Sequence, residues 1–501
     1  MRATLGWPLA LLGLVFLGFG CGSGDEPARC DAELPQALPF SLNREIAGEP
    51  LSPAEITAFT DRYLAFIEQK RFFRWLGDVS HGVDASTGLP PWMVWWTGVV
   101  VDRAQGKVTF RHDPNGGPDN IMIPTSKLLG QSVGALLLTG EPDLARLLEG
   151  YSRGMTATML GMVWDDSDPV RTIMARAVIA NNHTVTLADG RKKDIDYTAW
   201  RQLTQAWNTH TIHVEHNPFW GDIYAKNMRS KDDVPHIYRA AAWLPWARCA
   251  SDPAAREAAA EAFQFLQGFA RDVVDAGYHI RTKDEQGTIY TPTEDLASFV
   301  DYEALDPRAE CNAKLASALL GYGDTRGLDC ADGSGGAYEA GAVAGHYYNL
   351  AIIRGFHMAA ILQALLHRAD EAARNLLLGL IARIDRDKAL PDGQIPTTRE
   401  RWDADLAKLF AMAAVCGVPL THDEARLLVR EWQKGLDTME AFERWDVWDP
   451  ALPDGTYSYK PGGEIDAEEI LFLFEYCASP YRHPAGATFI DCERLRGPDA
   501  G

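Results

Sequence analysis

Two long helix-forming runs, Leu128 to Thr139 and Pro142 to Met162, are separated only by Gly140-Glu141. So short a link leaves the second helix no course but back along the first, so this part of the chain is committed to an antiparallel pair. Similar signals recur. Ser52-Pro53-Ala54-Glu55 opens a helix with a capping serine, a proline in the first turn and a glutamate three residues on. Ile56, Phe59, Tyr63 and Phe66 carry it at helical spacing to about Trp75. Asp252-Pro253 starts another that reaches about Asp275, and Thr291-Pro292-Thr293-Glu294 is a further capping box. Helices are expected near 307–321, 344–368, 369–386, 401–416, 421–438 and 464–477.

Strand-forming insertions separate the helices. Hairpins are expected near 92–112, where Val and Trp residues precede a Gly106 turn, near 183–197 around Asp189-Gly190, and near 278–290. Gly77 to Pro91 reads as a loop carrying His81 and Asp84. A chain of 501 residues, 46% hydrophobic and 23% charged, can bury one large core or two medium ones, and no break divides residues 51–501. Paired helices with short links and decorated longer loops predict a mainly α fold: an α/α toroid, or helical barrel, of antiparallel helix pairs with β-hairpin insertions. A helical solenoid would show a fixed repeat period, and none is visible.

A net charge of −21 argues against nucleic acid as a partner, since phosphate contacts need surplus Lys and Arg. At the N-terminus, Arg2 precedes an apolar run, Leu5 to Gly20, that meets Cys21. This is the layout of a signal peptide, residues 1–20. Leu17-Gly18-Phe19-Gly20-Cys21 resembles the lipobox of bacterial lipoprotein precursors, with residues 22–50 as a spacer after it. The resemblance implies a lipidated Cys21, export to the cell envelope, and membrane attachment through that lipid alone; ordinary cleavage is the alternative. Eight cysteines are present, and export permits disulfides. Cys311 with Cys330 and Cys477 with Cys492 are the closest pairs, and no CxxC motif occurs.

Titratable and aromatic groups concentrate between Trp207 and Trp246, which holds His210, His213, His216 and His236 among thirteen histidines. The His-x-x-His-x-x-His spacing invites a metal, but Thr211, Ile212 and Val214 favour strand. In a strand His210 and His216 lie about 20 Å apart, while His213 and Glu215 share a face at about 6–7 Å. His213 and Glu215 are therefore weak metal candidates, needing Asp222 or His236 as a third group. A helix capped near Asp232 and Asp233 places His236, Arg239 and Trp243 on one stripe. Asp222, Asp233, His236 and Arg239 then crowd one mouth of the barrel, unless the aspartates merely answer the helix dipole. A second apolar helix sets His346, Asn349 and His357 on one side, with Arg354 near them. Buried, these groups need partners, from a wet pocket or a structural network.

Fifteen tryptophans supply a substrate hint: Trp92, Trp96 and Trp220 lie in or beside the β insertions and suit sugar rings, although large aromatics are more often core. Serine-hydrolase, zincin, kinase and phosphate-cradle motifs are missing, and no cofactor is implied. The expectation is a carbohydrate-active enzyme, a glycoside hydrolase or polysaccharide lyase. Hydrolysis would use Asp222 or Asp233 as one carboxylate. Elimination would use His236 or Tyr238 for the proton, with Asn227, Arg229 and Arg239 steadying the sugar acid, and His346 and His357 are further acid–base candidates. Asn349 and Arg354 join the substrate-binding set. The rivals are a non-catalytic lipoprotein that binds a glycan or protein, and a His/acid metalloenzyme.

Overall fold

Ser52 caps the first helix as its sequence requires. Its hydroxyl accepts from the Glu55 amide while the Glu55 carboxylate accepts the Ser52 N–H at 2.7 Å. The helix, α1 (Pro53–Gln69), stops short of the expected end. Arg71 takes a left-handed φ of +47°, and a separate helix, α2 (Phe72–Val79), follows. The bend brings both aromatic faces inward: Phe66 and Phe72 meet at 5.6 Å, and Trp75 meets Trp445 at 4.7 Å. Packing of these rings offsets the roughly 1–2 kcal/mol that a left-handed non-glycine costs.

The computed structural model describes residues 42, 44–83, 92–95, 98–110, 121–163, 173–180, 184–186, 190–195, 211–227, 237, 240–241, 243–276, 281–283, 287–290, 381, 385, 388–395, 397–449, 451–458 and 461–497. Two compact units divide the chain, residues 1–34 and 35–501, and every described residue lies in the second.

The opening expectation holds. Helices α3 (Met122–Thr139) and α4 (Pro142–Leu160) pack together across a two-residue link, where Gly140 at φ +70° donates its N–H to Leu136 at 2.8 Å. Helix α5 (Pro253–Asp275) packs on α4. A second pair, α6 (Arg399–Val415) and α7 (His422–Glu440), starts from caps at Thr398 and at Thr421, the latter a reciprocal box with Glu424. Helix α8 (Phe472–Ala478) packs against both α3 and α6. It is half the length expected for 464–477, because side-chain bonds of Asp466 and Glu469 to nearby amides hold the preceding residues in turns. The Cys477–Cys492 disulfide, expected from sequence proximity, is formed and ties α8 to the C-terminal 3-10 turn.

The strands are β1 (His81–Val83), β2 (Trp92–Val94), β3 (Gly98–Asp102), β4 (Lys107–Phe110), β5 (Ala175–Ala180), β6 (Val185–Thr186), β7 (Lys192–Ile195), β8 (Thr211–Asn217), β9 (Gly221–Asn227), β10 (Thr282–Lys283), β11 (Ile289–Tyr290) and β12 (Gly455–Ser458). The three expected hairpins form: β3 with β4 around Gly106, β6 with β7 around Gly190, and β10 with β11. The first two are not separate insertions. A parallel β4–β7 pairing joins them, and β12 adds beside β3, giving the order β12-β3-β4-β7-β6. A three-stranded sheet runs β5-β9-β8. His81 lies in β1, paired to Val94, rather than in a loop. The described residues are thus helix-rich, with small sheets that close no barrel among them, and no described helix is long and apolar enough to cross a membrane.

Candidate functional site

Lys127 is the one charged residue of α3, and its helix is buried almost throughout. A buried ammonium must find acids. Its Nζ lies 2.8 Å from Glu468 Oε1 and 2.8 Å from Glu469 Oε1, both on the segment leading into α8. One turn along α3, Gln131 donates Nε2 to the Glu468 carbonyl at 2.9 Å. Helix α6 contributes Asp405 and Lys408, one turn apart, with Lys408 Nζ 3.8 Å from Asp405 Oδ1 and 3.9 Å from Glu469 Oε1. Asp466 completes the group by accepting the Glu468 amide at 3.1 Å, and its own amide donates to Glu469 Oε2 at 3.2 Å. Toward solvent, Arg401 and Glu464 face each other at 3.5 Å.

Four carboxyls and two ammoniums packed this way cannot all keep their ordinary proton affinities. Burial pushes Asp405 up to about 6, against the pull of Lys408 and Arg401. Burial also pushes Asp466 well up, helped by the neighbouring Glu468 and Glu469. For Glu469 burial works the same way, yet Lys127 and Lys408 outweigh it and hold that carboxyl far below its usual range. Lys127 in turn stays charged, because the acids around it overcome its own desolvation. The site therefore sets an Asp466 carboxyl that holds its proton more tightly than usual beside a Glu469 that releases its own readily, with Asp405 at about 6. Two buried acceptors in it, Asp405 Oδ2 and Gln131 Oε1, have no hydrogen-bond partner.

The carboxylate oxygens of Asp466, Glu468 and Glu469 lie within 4.8 Å of one another, a spacing that could hold a cation. Lys127 already serves that purpose, bonded to two of the three. No family model matches the chain, and neither a curated protein nor a solved structure matches it.

The sequence-derived candidates distribute differently. His213, Glu215 and Asp222 do come together, on the β8–β9 hairpin. His213 Nε2 meets Asp222 Oδ1 at 2.6 Å, Nδ1 lies 3.8 Å from Glu215 Oε1, and the ring stacks on Tyr224 at 4.4 Å. Strand β8 carries His213 and His216 as expected, while His210 and His236, the other candidate third group for a metal, lie outside the described residues. The two acids approach opposite nitrogens of one imidazole, so they cannot share an ion with it. The trio is also open to water, with His213 35% and Asp222 45% exposed. Trp92 and Trp220 are 0% and 6% exposed and meet edge-to-face at 5.9 Å. With no free face they are core groups rather than sugar platforms. Asn227 ends β9, opposite Ala175. Cys21, Trp96, Arg229, Asp233, His236, Tyr238, Arg239, His346, Asn349, Arg354 and His357 lie outside the described residues.

Lys127, Asp405, Lys408, Asp466 and Glu469 were not among the sequence candidates. Two local signals could have found them: a single cation inside an otherwise uncharged helix, and the acidic run Asp466-Ala467-Glu468-Glu469 abutting the apolar Ile470 to Phe474.

Proposed function

We propose that the chain is a carbohydrate-active enzyme, a glycoside hydrolase with lyase chemistry as the alternative, built as an α/α toroid and held at the bacterial envelope by a lipid on Cys21. The observation that carries the catalytic part is the splitting of proton affinities among neighbouring carboxyls, with Asp405 pushed up and Glu469 held down. Such a split is how one site supplies both an acid and a base. Lys408 lies within 3.9 Å of each, so the two carboxyls are no further apart than an inverting pair, roughly 6.5–9.5 Å. In this mechanism Asp405 protonates the departing glycosidic oxygen and Glu469 takes a proton from the attacking water. Lys127 and Lys408 keep Glu469 ionised while it does so.

The two short-linked helix pairs support the toroid, and the Cys477–Cys492 disulfide supports an oxidising, exported setting. Digestion of a broad glycan panel tests the chemistry. New reducing ends without ultraviolet absorbance are expected, and Asp405→Asn should cut turnover by about 10²-fold or more. Absorbance from a new double bond would select elimination. The absence of any turnover across the panel would remove the enzyme. One observation favours the rival, a non-catalytic binding lipoprotein: both lysines of the network are already ion-paired, as in a purely structural clamp.

A further inference from the structure

We infer that Gly435 of α7 is a positioning residue for the proposed site: the turn of residues 462–469 seats on α7 through Gly435, and that seat holds Glu469 beside Lys127 and Lys408. Its catalytic consequence rests on the carbohydrate reading above; the seat itself does not.

Helix α7 supplies none of the charges named in the network, yet it touches the turn that supplies Asp466, Glu468 and Glu469. A Cβ at Gly435 would lie 2.8 Å from Ile465 Cβ, 3.0 Å from its Cγ2 and 3.1 Å from its carbonyl oxygen. Ile465 is buried and directly precedes Asp466. Only a residue without a side chain lets the two segments come this close, and neither a Cβ nor a carbonyl can swing aside as a side-chain tip would. The turn is closed by Gly462, whose φ of +117° accompanies a bridge to Asp466. Trp432, Leu436 and Met439 fix α7 in the core, whereas the turn lies outside the helices, between β12 and α8. Bulk added at position 435 therefore displaces the turn and not the helix.

Displacement matters because proximity keeps Glu469 ionised. Lys127 Nζ stands 2.8 Å from it and Lys408 Nζ 3.9 Å, and these cations outweigh its burial. As the turn recedes, both attractions weaken and Glu469 holds a proton more readily. Lys127 gives up part of its pairing in the same step. Gly463 supplies the contrast within the turn: a Cβ there would meet Thr438 at 3.8 Å, an ordinary contact.

The test is acetylation of the folded full chain by acetic anhydride, with the rate at each lysine read by mass spectrometry. In Gly435→Ala, Lys127 should react about tenfold faster than in wild type as its partners recede. Lys283, buried on β10 and bonded to the Met162 carbonyl, reports loosening of the whole molecule and should change less than about twofold. Gly463→Ala should leave both lysines as they were. Thermal melts confirm folding; should Gly435→Ala not fold, Ile465→Val trims one methyl group from the seated residue, and a selective rise of about threefold at Lys127 is expected. On the panel glycan that wild type cleaves best, the acid limb of turnover should move to higher pH by about one unit in Gly435→Ala, because the base protonates sooner. Equal acceleration at Lys127 and Lys283, no change at Lys127, or the same rise in Gly463→Ala would overturn the inference. A selective rise at Lys127 in a chain whose wild type cleaves no glycan would sustain the seat and remove the catalytic reading.

Discussion

Two places in this molecule set a base against carboxylates at nearly the same distance. In the helical core Lys127 meets Glu469 at 2.8 Å, and on the β8–β9 hairpin His213 meets Asp222 at 2.6 Å. Geometry alone does not separate them; burial does. Lys127 and Glu469 are 9% and 2% exposed at the side chain, whereas His213 and Asp222 are 35% and 45%. Water screens the hairpin pair, while the core cluster must redistribute protons to exist at all. A short acid–base contact therefore says little about function until its surroundings are known.

The largest test of that contrast is Lys127→Met. Removing the ammonium strands the buried Glu469 beside the half-buried Glu468, which should cost about 3–5 kcal/mol in chemical denaturation at pH 7. A loss under about 1 kcal/mol would mean that water reaches the core cluster as it reaches the hairpin. Next comes the pH dependence of Asp405. Its folded carboxyl sits at about 6 against an ordinary 3.8, so the folded chain holds this proton more tightly than the unfolded one. The stability it contributes is complete below about pH 4 and is lost as pH rises through 6, an effect of about 3 kcal/mol. Denaturation of wild type and Asp405→Asn across pH 4 to 8 should therefore diverge with rising pH, the variant becoming the more stable. Parallel curves would show that Asp405 is ionised throughout. The smallest effect is expected at the hairpin: Asp222→Asn should change stability by less than about 1 kcal/mol, with salt erasing most of it. A cost comparable to Lys127→Met would erase the distinction between the two regions.

How far the sequence foretold this arrangement depended on how local each signal was. The Ser52, Thr398 and Thr421 starts, the Gly140-Glu141 link and the Asp189-Gly190 turn are written within a few residues, and the helices and hairpins they specify are present. Strand β12 was missed because Gly455–Ser458 becomes a strand by pairing with Gly98–Asp102, and nothing near it in sequence announces that partner. The core network failed to appear for the same reason. Asp405 resembles a surface charge, and the local signals at Lys127 and Glu469 name no partner until three distant elements bring the residues together. The histidine run drew notice because it is compact, yet compactness in sequence placed it on an exposed ribbon. Trp92 and Trp220 show the opposite error: large apolar rings near a presumed site went to the core, as burial energetics favour.

The β3–β12 pairing also governs when folding can finish. As the polypeptide emerges from its N-terminal end, β3 appears with one flank bare, and the segment that covers it is synthesised hundreds of residues later. Tyr63 and Thr60 of α1 wait likewise for Ile470 and Asp491. Until then an open strand edge and an unsealed aromatic surface stand ready to join the wrong neighbour. Such a molecule gains from being kept unstructured until β12 and the segments around it have been made, so a holding chaperone during synthesis should raise its yield.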